Sequence, residues 1–131
     1  MSDTSSALSK AVLLADGLGC AAAAAAVSMH RVYRIVDPEL TAQSAVRTGL
    51  LVTSGVCIFG AVTNPCRALR SAAVINAGWV GVCLSSLKHQ HTVLGRVLVG
   101  ATAVFDAAAG YAQWRLSAGL RTDRGGPIPR R

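Results

Sequence analysis

Five residues with chemical or hydrogen-bonding capacity, Asp16, Asn76, Trp79, Thr102 and Asp106, lie inside otherwise apolar runs. Asp106 stands out most, as the one acid in Val93 to Trp114. That run is long enough to cross a bilayer, which takes about 20 residues. A carboxylate at membrane depth is costly unless it is neutral, paired or turned to a polar interior, so it marks a functional hypothesis by default. At about 1.5 Å per residue, Asp16 and Asp106 are each predicted to lie roughly 3 Å from the midplane, on the same side of it. Asn76 falls in the same half, and Trp79, one turn along, is predicted to line the same wall. Thr102 lies one turn from Asp106. Two carboxyls close together in low dielectric do not readily both carry charge. Such a pair could relay protons, bind a cation, or act as a general acid toward a lipid-soluble molecule. The competing role for the same residues is hydrogen bonding across helices to fix their register, worth about 0.6 to 2 kcal/mol each.

The remaining reactive residue types carry weaker patterns. His30, His89 and His91, with Asp37 and Glu39, fall at one end of the predicted helices and are the candidates for a metal such as zinc or copper. A histidine pair spaced HxH on a loop closes no ligand set, so no metal site and no cofactor is assigned. Cys20, Cys57, Cys66 and Cys83 have no CxxC spacing, and three of them lie in apolar runs, where a thiol behaves as a small hydrophobe. That pattern argues against paired-thiol redox chemistry.

Helices are the elements that must position these groups. Hydrophobic residues make up 52% of the 131-residue chain and charged residues only 15%, against roughly a quarter charged in ordinary soluble domains. Mean hydropathy is +0.45. The net charge of +7 does not mark a nucleic-acid binder, because the basic residues sit in short groups between apolar runs and in a basic tail. Four helices are predicted, at about 11–35, 38–63, 66–87 and 93–115, after a polar segment 1–10 and before a basic, disordered tail 116–131. Asp37-Pro38 and Asn64-Pro65 each read as a capping residue followed by proline at the first helical position. Thr92 is the predicted cap of the last helix. Tyr111, Trp114 and Arg115 suit the headgroup region. The fold class is all-α, a transmembrane four-helix bundle of antiparallel up-down topology.

Small residues recur every fourth position at Ala11, Ala15, Gly19 and Ala23; at Gly49, Thr53, Cys57 and Ala61; at Ala73, Ala77, Gly81 and Ser85; and at Ala103 and Ala107. Lipid supplies no hydrophobic drive between helices, so such faces are expected to supply the packing. Eight Lys and Arg fall on the side of the termini against five on the other, which predicts a multi-pass protein of the cell (plasma) membrane with both termini cytoplasmic. The expected partners are the lipid bilayer and either a second copy of the chain or a larger membrane protein, with no nucleic acid.

Length, helix count and the Asn76-Ala77-Gly78-Trp79 and Phe105-Asp106 stretches make the layout resemble the small four-helix bacterial integral membrane proteins, DoxX-like and related, over residues 8–115. The resemblance implies the bundle and carries over no functional residue. An acid early in the first helix is also similar to the small multidrug resistance transporters, although theirs is Glu and Asp106 is extra here. Three functions follow as expectations: a structural or interaction bundle; a proton-coupled transporter of small hydrophobic or cationic compounds using Asp16 and Asp106; or a membrane enzyme acting on a lipid-soluble substrate.

Overall fold

A computed structural model describes residues 2–36 and 40–122. They form helices α1 (Ser2–Val27), α2 (His30–Val36), α3 (Leu40–Thr63), α4 (Pro65–Leu87) and α5 (Val93–Thr122), with no strand among the described residues. Four of these, all but the short α2, are long and apolar enough to cross a membrane by length and composition.

The helix boundaries follow from local hydrogen bonding. Asn64 caps α4 by accepting from the Arg67 N–H at 3.3 Å, with Pro65 at the first position, where a missing N–H costs nothing. Thr92 Oγ1 accepts from the Gly95 N–H at 2.9 Å and caps α5. The predicted first helix, 11–35, is divided at Ser28 and Met29. Their N–H groups bond three residues back rather than four, to Ala25 and Ala26, which tightens the last turn of α1. The Gln43 amide of α3 then reaches the Val27 carbonyl at 2.8 Å and satisfies the helix end. The cap predicted at Asp37-Pro38 lies outside the described residues.

Both outer segments differ from expectation. Residues 2–10, predicted as a polar segment, are the first turns of α1. Ser9 is fully buried there, in line with Leu13 and Asp16, and its hydroxyl donates to the Ser5 carbonyl. At the other end α5 runs past 115 to Thr122. Ser117 is buried, and Leu116 and Leu120 pack on a core of Leu13, Cys57, Ala61, Ala68, Leu69 and Ala72, so the inward stripe holds the chain helical where a free tail was predicted. The rest of the predicted tail, 123–131, lies outside the described residues.

α1 packs chiefly on α3, and α4 chiefly on α5; α1 also meets α4 and α5, and α3 meets α4. Residue pairs define the alignment. Val27 and Asp16 of α1 meet Gln43 and Cys57 of α3. In α3, Thr53 meets Trp79 of α4, and Gly60 lies against Ala68. Cys66 of α4 reaches Ser117 of α5, and Asn76 reaches Gln113. Around this core the large apolar side chains face outward, among them Phe59, Val62, Val74, Val104, Phe105 and Tyr111, each at least 65% exposed.

Candidate functional site: a four-helix polar node and an acidic groove

Each of the four long helices contributes one side chain to a single buried polar node. Asp16 of α1 is its acceptor. Its Oδ2 receives the Gln113 amide of α5 at 2.5 Å, the Asn76 amide of α4 at 3.2 Å and the Cys57 thiol of α3 at 3.6 Å. The Asn76 amide also donates to Gln113 Oε1 at 3.1 Å, closing a triangle of side chains. Exposure is 7% at Asp16, 1% at Asn76 and 0% at Gln113, so the node is sealed from its surroundings. Next to it Gly17 admits α3: a Cβ there would lie 3.2 Å from both Cys57 Cβ and the Ser54 carbonyl. Polar groups removed from water must find partners, and here each amide does.

Of the predicted cluster, the structure joins Asp16 to Asn76 and leaves the rest apart. Trp79 lies one turn from Asn76, but its indole N–H donates to Thr53 Oγ1 of α3 at 3.3 Å, and its ring covers Gly49. Thr102 is exposed and returns its hydroxyl to the Leu98 carbonyl of its own helix. Asp16 and Asp106 each lie near the middle of their candidate spans, Thr4–Val27 and Val93–Leu120, but no hydrogen bond joins them, and the α5 side chain that reaches Asp16 is Gln113.

Asp106 instead lines a lateral groove of about 490 Å³ between α4 and α5, walled by Ala73, Ala77 and Val80 on one side and by Ala107, Gly110 and Trp114 on the other. The groove floor is a close helix contact, since a Cβ on Gly110 would lie 3.3 Å from Asn76 Cβ. Node and groove are therefore back to back across Asn76, and Asp16 does not line the groove. Asp106 makes no hydrogen bond or ion pair with the described residues and is half-buried. Beyond the groove end the Arg70 guanidinium lies 6.0 Å from the centre of the Trp114 ring, within cation–π range.

No group of three metal-ligating side chains forms among the described residues. His89 and His91 are exposed on the α4–α5 loop, while the side chain of His30, together with Asp37 and Glu39, lies outside the described residues. Arg96 donates to the Gln90 carbonyl, and Arg47 is exposed; neither pairs with an acid among the described residues. All four cysteines are free thiols.

Gln113 and Cys57 are the node members that sequence reasoning missed. Gln113 sits between Tyr111 and Trp114, whose amphipathic rings draw attention to an interface. Its signal was the spacing Asp106, Gly110, Gln113, Ser117, a helical stripe that continues past the predicted end of the helix.

Compared with protein-family models, with curated proteins and with solved structures, the chain matches none.

Proposed function

We propose that the chain is a multi-pass protein of the cell (plasma) membrane, an antiparallel up-down four-helix bundle with cytoplasmic termini, and that it works as a structural or interaction bundle. It packs with a second copy or with a larger membrane partner. The observation that carries this reading is the closed node. The Asp16 carboxylate is taken up by donors from the three other long helices, so the most buried acid holds the bundle together and is not offered to a ligand. The falling partner numbers along each helix pair support the antiparallel arrangement. An outward-facing apolar surface, the inverse of a soluble domain, supports the membrane setting. The likeness to small four-helix bacterial membrane proteins belongs to the same reading.

Gly81 supplies the test. It is exposed, and a Cβ added there meets nothing within 4 Å, so Gly81→Leu fits the isolated fold while roughening the Ala77-Gly81-Ser85 face. Cross-linking in native membranes is expected to trap a higher-mass species with the wild type and to lose it with Gly81→Leu. A wild type that cross-links to nothing overturns the interaction reading. Release of the protein by alkaline carbonate overturns the membrane reading.

A second reading, proton-coupled transport of small hydrophobic or cationic compounds, is favoured by the position of Asp106 in an open groove. It requires pH-driven uptake in proteoliposomes that Asp106→Asn abolishes; uptake indifferent to pH or to that change removes it. The membrane-enzyme reading needed one enclosed pocket holding both acids. Asp16 and Asp106 occupy separate places, so nothing favours that reading.

A further inference from the structure

We propose that the Arg70 end of the α4–α5 groove is a site for an anionic phospholipid, with its phosphodiester held by the Arg70 guanidinium and the upper part of one acyl chain laid along the groove. The Arg70 Nε is buried without a partner, and the side chain has no hydrogen bond or ion pair among the described residues. Its two terminal nitrogens are not enclosed, and a guanidinium presents them as a fork that matches two phosphate oxygens. The Trp114 ring, 6.0 Å away, faces this fork where the groove begins. Arg70, Ala73 and Ala77 follow helical spacing, so the charge and the apolar wall share one face of α4. From Trp114 to Asp106 the groove covers about 12 Å of α5. At about 490 Å³ it has room for a run of methylenes. Arg70 lies about 7.5 Å in from the Pro65 end of α4, a depth from which an arginine head reaches the headgroup region.

Two more arginines sit at the same end, both exposed: Arg67 one turn before Arg70, and Arg115 one turn beyond Tyr111 of the groove. Three guanidiniums together select a headgroup of net negative charge over a zwitterionic one, whose ammonium they repel. A second copy of the chain is a poorer occupant. Packed about a two-fold axis along the membrane normal, it would set Arg70 level with Arg70 and Asp106 level with Asp106, like against like. Asp106 lies at the far end of the groove and takes no part in holding the phosphate, which separates this site from the transport reading. The proposal rests on the membrane reading of the bundle. Failure of that reading appears in carbonate extraction, whereas failure of this one appears in lipid binding.

The test is native mass spectrometry of the purified full chain in detergent, titrated with dioleoylphosphatidylglycerol and, separately, with dioleoylphosphatidylcholine, which differ only in the headgroup. The anionic lipid should bind saturably and at least tenfold more tightly. Arg70→Gln should bring the two lipids within threefold of each other. Ala77→Leu, at an exposed wall position, should weaken both at least fivefold by filling the groove while the preference remains. Arg34→Gln, at an exposed arginine on the opposite end of the bundle, and Asp106→Asn should each leave the affinities within threefold. Helicity and elution volume should be unchanged for all variants. Equal binding of the two lipids by the wild type overturns the proposal, as does a preference that survives Arg70→Gln or wild-type affinity in Ala77→Leu. Binding of inorganic phosphate in the same concentration range would assign Arg70 to a soluble anion. Loss of bound lipid as rising protein concentration drives self-association would assign the groove to a second copy, and either result overturns the proposal too.

Discussion

Replacing Gln113 with Leu would remove both the amide that donates to Asp16 and the oxygen that accepts from Asn76, leaving two buried polar groups short of partners. Such a loss costs about 1–3 kcal/mol. Asp16→Asn is milder, because its remaining carbonyl oxygen can take the place of Oδ2 and still accept from Gln113 and Asn76. Equilibrium unfolding in SDS–detergent mixtures, followed by helical circular dichroism, should rank Gln113→Leu as clearly the more damaging change. The reverse order would mean that carboxylate charge, not the amide geometry, holds the node. Asp16 and Asn76 were legible in the sequence because polar residues at membrane depth are rare and need partners. Their partners were less legible. Cys57 reads as a packing thiol, and the level of Asp106 was judged on a helix taken to end at 115. The longer α5 does not explain the difference in partner, because α1 also starts earlier, at Ser2, and the two midpoints shift together; the Gln113 side chain is simply the α5 group that reaches Asp16.

At the scale of elements, the number and approximate place of the long helices could be read from apolar runs and from the Asn64-Pro65 and Thr92 caps. Which face of each helix packs inward could not, because Ala and Gly serve equally well against lipid and against another helix. The predicted small-residue stripe of α3 does face inward, with Thr53, Cys57 and Ala61 buried. On α1 the inward stripe is Ser9, Leu13, Asp16 and Gly17, whereas Ala11, Ala15 and Gly19 are exposed. On α4 only Ala73 of its predicted stripe is buried. Two glycines make the distinction measurable. A Cβ on Gly60 would overlap the Cβ of Ala68, where α3 and α4 cross next to their turn, and neither backbone can easily withdraw. Gly60→Ala should therefore cost about 1–3 kcal/mol in the same SDS assay, as overpacking does. Gly81→Ala should cost nothing, since the position is open and alanine favours the helix.

For the whole molecule, the orientation proposed above turns on charge, and the charge turns on one end of the chain. Eight Lys and Arg against five favour cytoplasmic termini, but Arg121, Arg124, Arg130 and Arg131 supply half of the larger group. Basic residues set orientation because they resist translocation, and those within about 15–20 residues of a span count most. The α3–α4 turn and the α4–α5 loop provide reporters on opposite ends of the bundle, at Arg67 and His89, both exposed. In a background with Cys66→Ala, His89→Cys should react with a membrane-impermeant maleimide on intact cells, and Arg67→Cys should react only after the membrane is opened. Labelling of both positions under the same condition would contradict the up-down topology itself. Changing the four tail arginines to Gln leaves four basic residues against five, and three against five where Arg67→Cys is the reporter. If charge alone decides the orientation, a fraction of this variant should show the reversed pattern, with Arg67→Cys labelled on intact cells. If the pattern is unchanged, the count of Lys and Arg does not decide the orientation, since the Arg67→Cys reporter itself leaves Arg70 alone in the α3–α4 turn.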